Sequence, residues 1–300
     1  MNSDATLICP VCREPAPAVT DRFCEMCGAP LHPPRADAAD HVDVELAELA
    51  GISDRGLVHL RNEDAMALGR RPEDGPATTL AAVVCDGVST VRRPELASHT
   101  AAGVALEALL ATHAAGADGM TAAIATAADA VAALAPDVPD APSCTLVAAL
   151  VDAMTGAVTV GWVGDSRAYW LAENGDARLL TADHSWAAEM VRAGVLDMST
   201  AMRDPRAHAI TRWLGGGSAP EPGVATLSPT GPGVLLLCTD GLWNYEPEAP
   251  DLAELALPVA MRDGPRAAAV ALTAHALDAG GRDNITVVCI PIDSSGGSAR

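Results

Sequence analysis

Four aspartates stand where apolar runs break off. Asp86 follows the run LAAVVC, Asp165 follows TVGWV and one glycine, Asp240 follows VLLLC and one threonine, and Asp283 precedes ITVVCI. A carboxylate at the end of a buried segment loses hydration and needs a cationic partner, and several brought together repel one another. A divalent cation answers both needs, and hard Mg²⁺ or Mn²⁺ prefers oxygen ligands while keeping several of its waters. A single Asp-Gly is ordinary turn chemistry. Four carboxylates in the same setting point to a shared metal centre.

A second set of ligands is made of thiols. Cys9 and Cys12 form one C-x2-C pair, Cys24 and Cys27 another, with eleven residues between them. Each pair can supply two corners of a tetrahedron, so the four cysteines are expected to hold one structural Zn²⁺ with no open position. Cys85, Cys144, Cys238 and Cys289 lie inside apolar runs and read as small core residues.

The elements that must position the aspartates follow from the apolar pattern. Residues 80–85, 159–163, 234–238 and 285–290 are too short for core helices and are flanked by turn formers, so they read as buried strands. Residues 145–151, 157–163 and 166–171 form a meander, with turns at 152–156 and at Asn174-Gly175. Pro94-Glu95 opens a helix whose Leu106, Leu109 and Leu110 share a face. A second Ala-rich helix buries Ile124, Val131 and Leu134, a third starts after Ser185, and a fourth covers 265–279. Residues 202–217 read as an irregular flap.

Composition bounds the rest. The 300 residues are 49% hydrophobic but only 3% aromatic, so the core must be built from Ala, Val and Leu. All 19 basic residues are Arg, and the net charge of −20 disfavours nucleic acid and anionic membranes as partners. No run approaches the ~18 apolar residues of a membrane span and no leader pattern opens the chain, so a cytoplasmic protein is expected.

The motifs SDRGLVHLRNEDA (53–65), VVCDG (83–87), CTL (144–146), VGDSRAYWL (163–171), TADHS (181–185), AITRWLG (209–215), LLLCTDGLWN (235–244) and GRDNITVVCI (281–290) resemble, in order, those of the metal-dependent protein phosphatases of type 2C, the PPM family. The likeness runs from about 45 to 292 and is to the bacterial branch with an N-terminal zinc ribbon. It implies an α+β fold, a four-layer α-β-β-α sandwich of two antiparallel sheets flanked by helices, plus the small ribbon. The expected domains are a ribbon at 1–32, a linker at 33–44, the phosphatase domain at 45–293 and a polar tail at 294–300.

The resemblance also implies roles. Asp86 would bridge two Mn²⁺ or Mg²⁺ ions with the Gly87 carbonyl as a further ligand, Asp240 and Asp283 would bind the first ion, and Glu63 and Asp64 would hold metal-bound waters. Asp165, with Asp240, would offer a third-metal site. The implied reaction is hydrolysis of phosphoserine or phosphothreonine by direct attack of a metal-bridging water or hydroxide, without a covalent intermediate. Substrates would be phosphoproteins of a serine/threonine kinase, with the ribbon docking a protein partner. The alternative is a pseudophosphatase that binds phosphoprotein as a regulatory scaffold.

The chain departs from the family pattern at two places. His59 stands where an Arg usually clamps the substrate phosphate, leaving His59 or Arg61 as candidates for that contact. Ser89-Thr90 replaces a pair of glycines after Asp86-Gly87, where Ser89 could reach a metal water. His184 is expected to order the start of its helix.

Overall fold

Strands whose two faces are both apolar need cover on both, and this requirement sets the layering. The structure, a computed structural model, describes residues 26, 40–72, 78–111, 116–135, 140–218 and 220–293. Cys9, Cys12, Cys24 and Cys27 and the tail 294–300 lie outside the described residues. The chain divides into units Met1–Ala38 and Ala39–Arg300, and the elements below belong to the second.

Strands β1 (His41–Leu46), β2 (Leu49–Asp54), β3 (Ala65–Pro72) and β4 (Thr78–Cys85) precede helices α1 (Pro94–Ala111) and α2 (Ala117–Ala132). Then come β5 (Ser143–Cys144), β6 (Leu146–Asp152), β7 (Val158–Val163), β8 (Arg167–Ala172) and β9 (Arg178–Leu179). Two short helices, α3 (Trp186–Arg192) and α4 (Met198–Ala201), lead to β10 (Leu214–Gly215), β11 (Gly223–Leu227) and β12 (Gly233–Cys238). Helices α5 (Asp240–Trp243), α6 (Ala249–Asp263) and α7 (Pro265–Asp278) precede β13 (Ile285–Ile292).

One sheet has the order β1-β2-β13-β12-β8-β9 and the other β11-β7-β6-β4-β3, with antiparallel pairing throughout. Alternation along the strands fills three cores. Leu80, Ala82 and Val84 of β4 meet Leu235, Leu237, Val288 and Ile290 of the opposite sheet. Ala81, Val83 and Cys85 pack against Ala101, Ala105 and Leu109 of α1 and Ile124 of α2. On the far side Val234, Leu236 and Cys238 meet Leu252, Ala256, Ala268 and Leu272 of α6 and α7. Small alanines on the helices allow close approach to the sheets, which is how a core poor in aromatics is closed.

Pro94 opens α1, and the Ser185 hydroxyl accepts from the Ala188 N–H at 3.4 Å to cap α3. Two expectations need correction. The stretch 33–44 ends inside β1, which begins at His41 and pairs with β2. Its alternating polar and apolar residues suit an edge strand. Residues 202–217 are not wholly irregular, because Leu214 and Gly215 pair with Cys144 and Ser143. Among the described residues no helix is long and apolar enough to cross a membrane.

Candidate active site

Strand pairing brings the aspartates to one end of the sandwich. β12 and β13 are antiparallel neighbours with Cys238 opposite Val287, so Asp240, just past the end of β12, stands beside Asp283, just before β13. From the other sheet, Asp86 leaves β4 and Asp165 occupies the turn between β7 and β8. The Thr145 N–H donates to the Asp86 carbonyl at 2.8 Å, and the Asp86 N–H donates to Thr145 Oγ1 at 3.1 Å. Thr145 Oγ1 also lies 2.7 Å from Ser166 Oγ, tying the Asp86 and Asp165 turns together.

Gly87 and Gly241 are required by close packing, not by a left-handed backbone. A β-carbon at 87 would lie 2.6 Å from the Glu63 carbonyl oxygen, and one at 241 would lie 1.9 Å from that of Asn284. Each Asp-Gly therefore lets a second loop press against the aspartate's own backbone.

The carboxylates feel one another. Asp86 lies in the field of Asp64, Asp240, Asp165 and Asp283, and Asp240 in that of Asp283. Burial first, and then repulsion, pushes Asp64 and Asp165 up to about 8, Asp240 up to about 7 and Asp86 well above the usual range. Asp86 and Asp240 keep part of their surface open to solvent, while Asp64 and Asp165 are buried. Among the described residues no three His, Cys, Asp or Glu side chains already converge as a ligand set. An all-oxygen donor set with this excess of negative charge nevertheless fits Mg²⁺ or Mn²⁺.

A scaffold of neutral hydrogen bonds holds the cluster. Asp64 Oδ2 accepts from Thr239 Oγ1 at 2.9 Å and from Thr286 Oγ1 at 2.7 Å. Ser53 Oγ lies 2.8 Å from Thr286 Oγ1 and accepts from Asn62 Nδ2. Asn284 takes the Glu63 N–H at 2.7 Å and donates to the carbonyls of Arg55 and Arg61. None of Ser53, Asn62, Thr239, Asn284 or Thr286 stood out in the sequence by its own chemistry. The usable signal was their position inside motifs that also carry the acids.

Ser89 donates to Glu63 Oε2 at 2.7 Å, so its hydroxyl is committed to that carboxylate. Arg61 faces Glu63 at 3.3 Å and Glu95 at 3.4 Å, and His59 Nε2 lies 3.2 Å from Asp283 Oδ1. Both candidates for the phosphate contact thus sit at the rim against acids of the site. His184 does more than start a helix: its Nδ1 accepts the N–H of Gly164, beside Asp165, at 3.2 Å. Burial and nearby arginines lower it to about 4, which keeps this acceptor neutral.

A second support joins the two ends of the cluster. Trp243, on α5 with Asp240, donates its indole N–H to the Asp165 carbonyl at 3.0 Å. Arg167 stacks 3.7 Å over the Trp243 ring and is held by both oxygens of Asp183 at 3.0 and 2.8 Å. Trp243→Phe keeps a stacking ring but orphans the buried carbonyl, and is expected to lower stability by about 1–3 kcal/mol. Urea unfolding checks it. A variant as stable as the parent would mean that water takes over this contact.

Comparison with known proteins completes the description. Residues 58–264 match the family model described as Protein phosphatase 2C. The chain is 38% identical over 146 residues to a serine/threonine phosphatase stp of Listeria innocua, covering 49% of this chain and 55% of that one. It thus spans about half the length of the curated relatives it matches. Among solved structures it is similar to the PPM Ser-Thr phosphatase MsPP of Mycobacterium smegmatis in complex with cacodylate. That likeness has a TM-score of 0.66 and 31% identity, and covers 83% of this chain and 100% of the other. It is also similar to the catalytic domain of PstP in complex with two manganese ions, with a TM-score of 0.63 and 28% identity, over 82% and 98% of the two chains.

Proposed function

The chain belongs to the protein phosphatase 2C family, and from that premise we propose that it is a metal-dependent serine/threonine protein phosphatase acting on phosphoproteins made by a serine/threonine kinase. The observation that carries this reading is the arrival of Asp86, Asp165, Asp240 and Asp283 at one end of the sandwich from strands of both sheets, as a group of carboxylates that repel one another. Two Mn²⁺ or Mg²⁺ ions would supply, when bound, the Lewis acidity that polarises a phosphoryl group and activates water.

The protein's own part is to hold ligands and orient substrate. Asp86, the Gly87 carbonyl, Asp240 and Asp283 are the proposed metal ligands, with Asp165 available for a third ion. Glu63 and Asp64 lie behind them, each anchored by hydroxyl donors, and are positioned to accept from metal waters. His59 or Arg61 is the proposed contact for the substrate phosphate. Free thiols at Cys85, Cys144, Cys238 and Cys289 agree with a reducing compartment such as the cytoplasm. Release of inorganic phosphate from a phosphothreonine peptide, dependent on Mn²⁺ and stopped by EDTA, tests the proposal. Peptide binding with no phosphate released would favour a phosphoprotein-binding scaffold.

Cys9, Cys12, Cys24 and Cys27 are the proposed ligands of one structural Zn²⁺ in an N-terminal ribbon that docks a protein partner. The support is their spacing in the sequence. About one zinc per chain is expected by metal analysis, and none in a Cys9→Ser, Cys12→Ser variant. Zinc retained by that variant would remove the assignment.

A further inference from the structure

In a chain of net charge −20, arginines are generally engaged: Arg61 faces Glu63, Arg70 faces Glu48 and Arg167 faces Asp183. The exposed Arg282 side chain is one exception, and Arg92 and Arg93 form another as an adjacent pair. Both are exposed, and neither side chain has an ion-pair or hydrogen-bond partner among the described residues. Their backbone, by contrast, is tightly held. Arg93 has φ 53°, the one positive φ at a non-glycine position among the described residues, a region that a β-carbon disfavours. Such a conformation persists where its surroundings over-determine it.

Those surroundings lead to the aspartate cluster. The Arg92 N–H donates to the Asp140 carbonyl at 3.3 Å, and the Arg93 carbonyl accepts from the Leu96 N–H at 3.0 Å. Pro94, the next residue, presses on Gly87 so closely that a β-carbon at 87 would stand 2.9 Å from Pro94 Cβ. The arginine pair is therefore fixed one residue away from a contact with the Asp86-Gly87 turn. Val88, Thr90 and Val91 of the same loop line a cavity of about 490 Å³ with His208, Ile210 and Trp213. The loop thus joins the metal centre, an apolar hollow and two unneutralised guanidinium groups.

We propose that Arg92 and Arg93 form a substrate subsite for a second anionic group, a phosphate or a carboxylate carried on the same peptide as the phosphoresidue being hydrolysed. This rests on the phosphatase reading above. An acidic protein repels an acidic substrate at long range, and two free guanidinium groups on the loop that follows the Asp86-Gly87 turn reverse that locally and select for a second negative charge on the substrate. Substrates phosphorylated at clustered sites are the class this favours.

The test uses the full-length, Mn²⁺-loaded protein and three peptides with one phosphothreonine. One has neutral flanks, one a glutamate and one a second phosphoserine about three residues away. The wild type is expected to show a KM about tenfold lower for the doubly phosphorylated peptide than for the neutral one. That preference should disappear in an Arg92→Gln, Arg93→Asn variant whose kcat on the neutral peptide is unchanged. Asn tolerates the positive φ at 93. The glutamate peptide separates a carboxylate from a phosphate as the preferred group. Equal KM ratios in wild type and variant overturn the proposal. If the double variant does not fold, Arg92→Gln alone should lose about a threefold part of the preference, and no loss counts against the subsite. Fluorescence anisotropy of the same peptides reads the subsite without turnover. Arg-dependent selectivity in a protein that releases no phosphate would sink the phosphatase reading and leave the subsite standing.

Discussion

Asp240→Asn should reduce phosphopeptide turnover by about a thousandfold or more, the scale on which electrostatic and metal contributions to phosphoryl transfer operate. Asp240 sits at the first position of α5, adds to the negative charge around Asp86 and takes a hydrogen bond from Asn244 Nδ2 at 3.0 Å. An asparagine fills the same space but offers a neutral oxygen, and turns an amide donor towards Asp86. The charge needed to hold a cation is lost while the shape is kept. The same change removes repulsion from the cluster, so the metal-free variant should be at least as stable as the parent. Loss of turnover together with an equal or higher Tm is the expected pair of results. Activity within about tenfold of wild type would show that the cluster is not where the chemistry happens.

Without metal, the folded protein should grow less stable as pH rises. The carboxyls of Asp64, Asp165 and Asp240 titrate at 3.8 in the unfolded chain and at about 7 to 8 in the folded one, because burial and repulsion penalise their charged forms. Between those values the folded state binds more protons, so the stability they contribute is complete below 3.8 and lost as pH passes through about 7 to 8. His184 works the other way, since its folded value of about 4 lies below the unfolded 6.5 and costs stability as pH falls through that range. One imidazole is outnumbered by the carboxyls. In EDTA, Tm should fall by roughly 5–10 °C from pH 5 to pH 8. Mn²⁺ should raise Tm more at pH 8, where protons no longer compete for the ligands. A Tm in EDTA that rises over this range would contradict the clustering, and Asp86→Asn should flatten the slope.

Much of the fold was readable because each element carries a local cause. Pro94 begins a helix, Ser185 caps one, and two-sided apolar runs make strands that demand two covers. The edge strand at His41 was hidden in a Pro- and Asp-rich stretch, and its pairing with β2 is what makes it a strand. The pairing of Leu214 with Cys144 was hidden for the same reason, since two residues carry no period of their own.

The amino-acid sequence alone determined which residue types the site would contain: aspartates at strand ends, glycines after two of them and hydroxyl or amide residues in the same motifs. Only the tertiary structure decided their partners. Thr239 and Thr286 lie 175 and 222 residues from the carboxylate they both serve. Trp243 reaches the backbone of Asp165 across 78 residues, and His59 faces Asp283. Periodicity and turn chemistry act over a few residues along the chain, whereas hydrogen bonds and charge repulsion act over a few ångströms in space. Which distant residues become neighbours is settled by the packing of the two sheets.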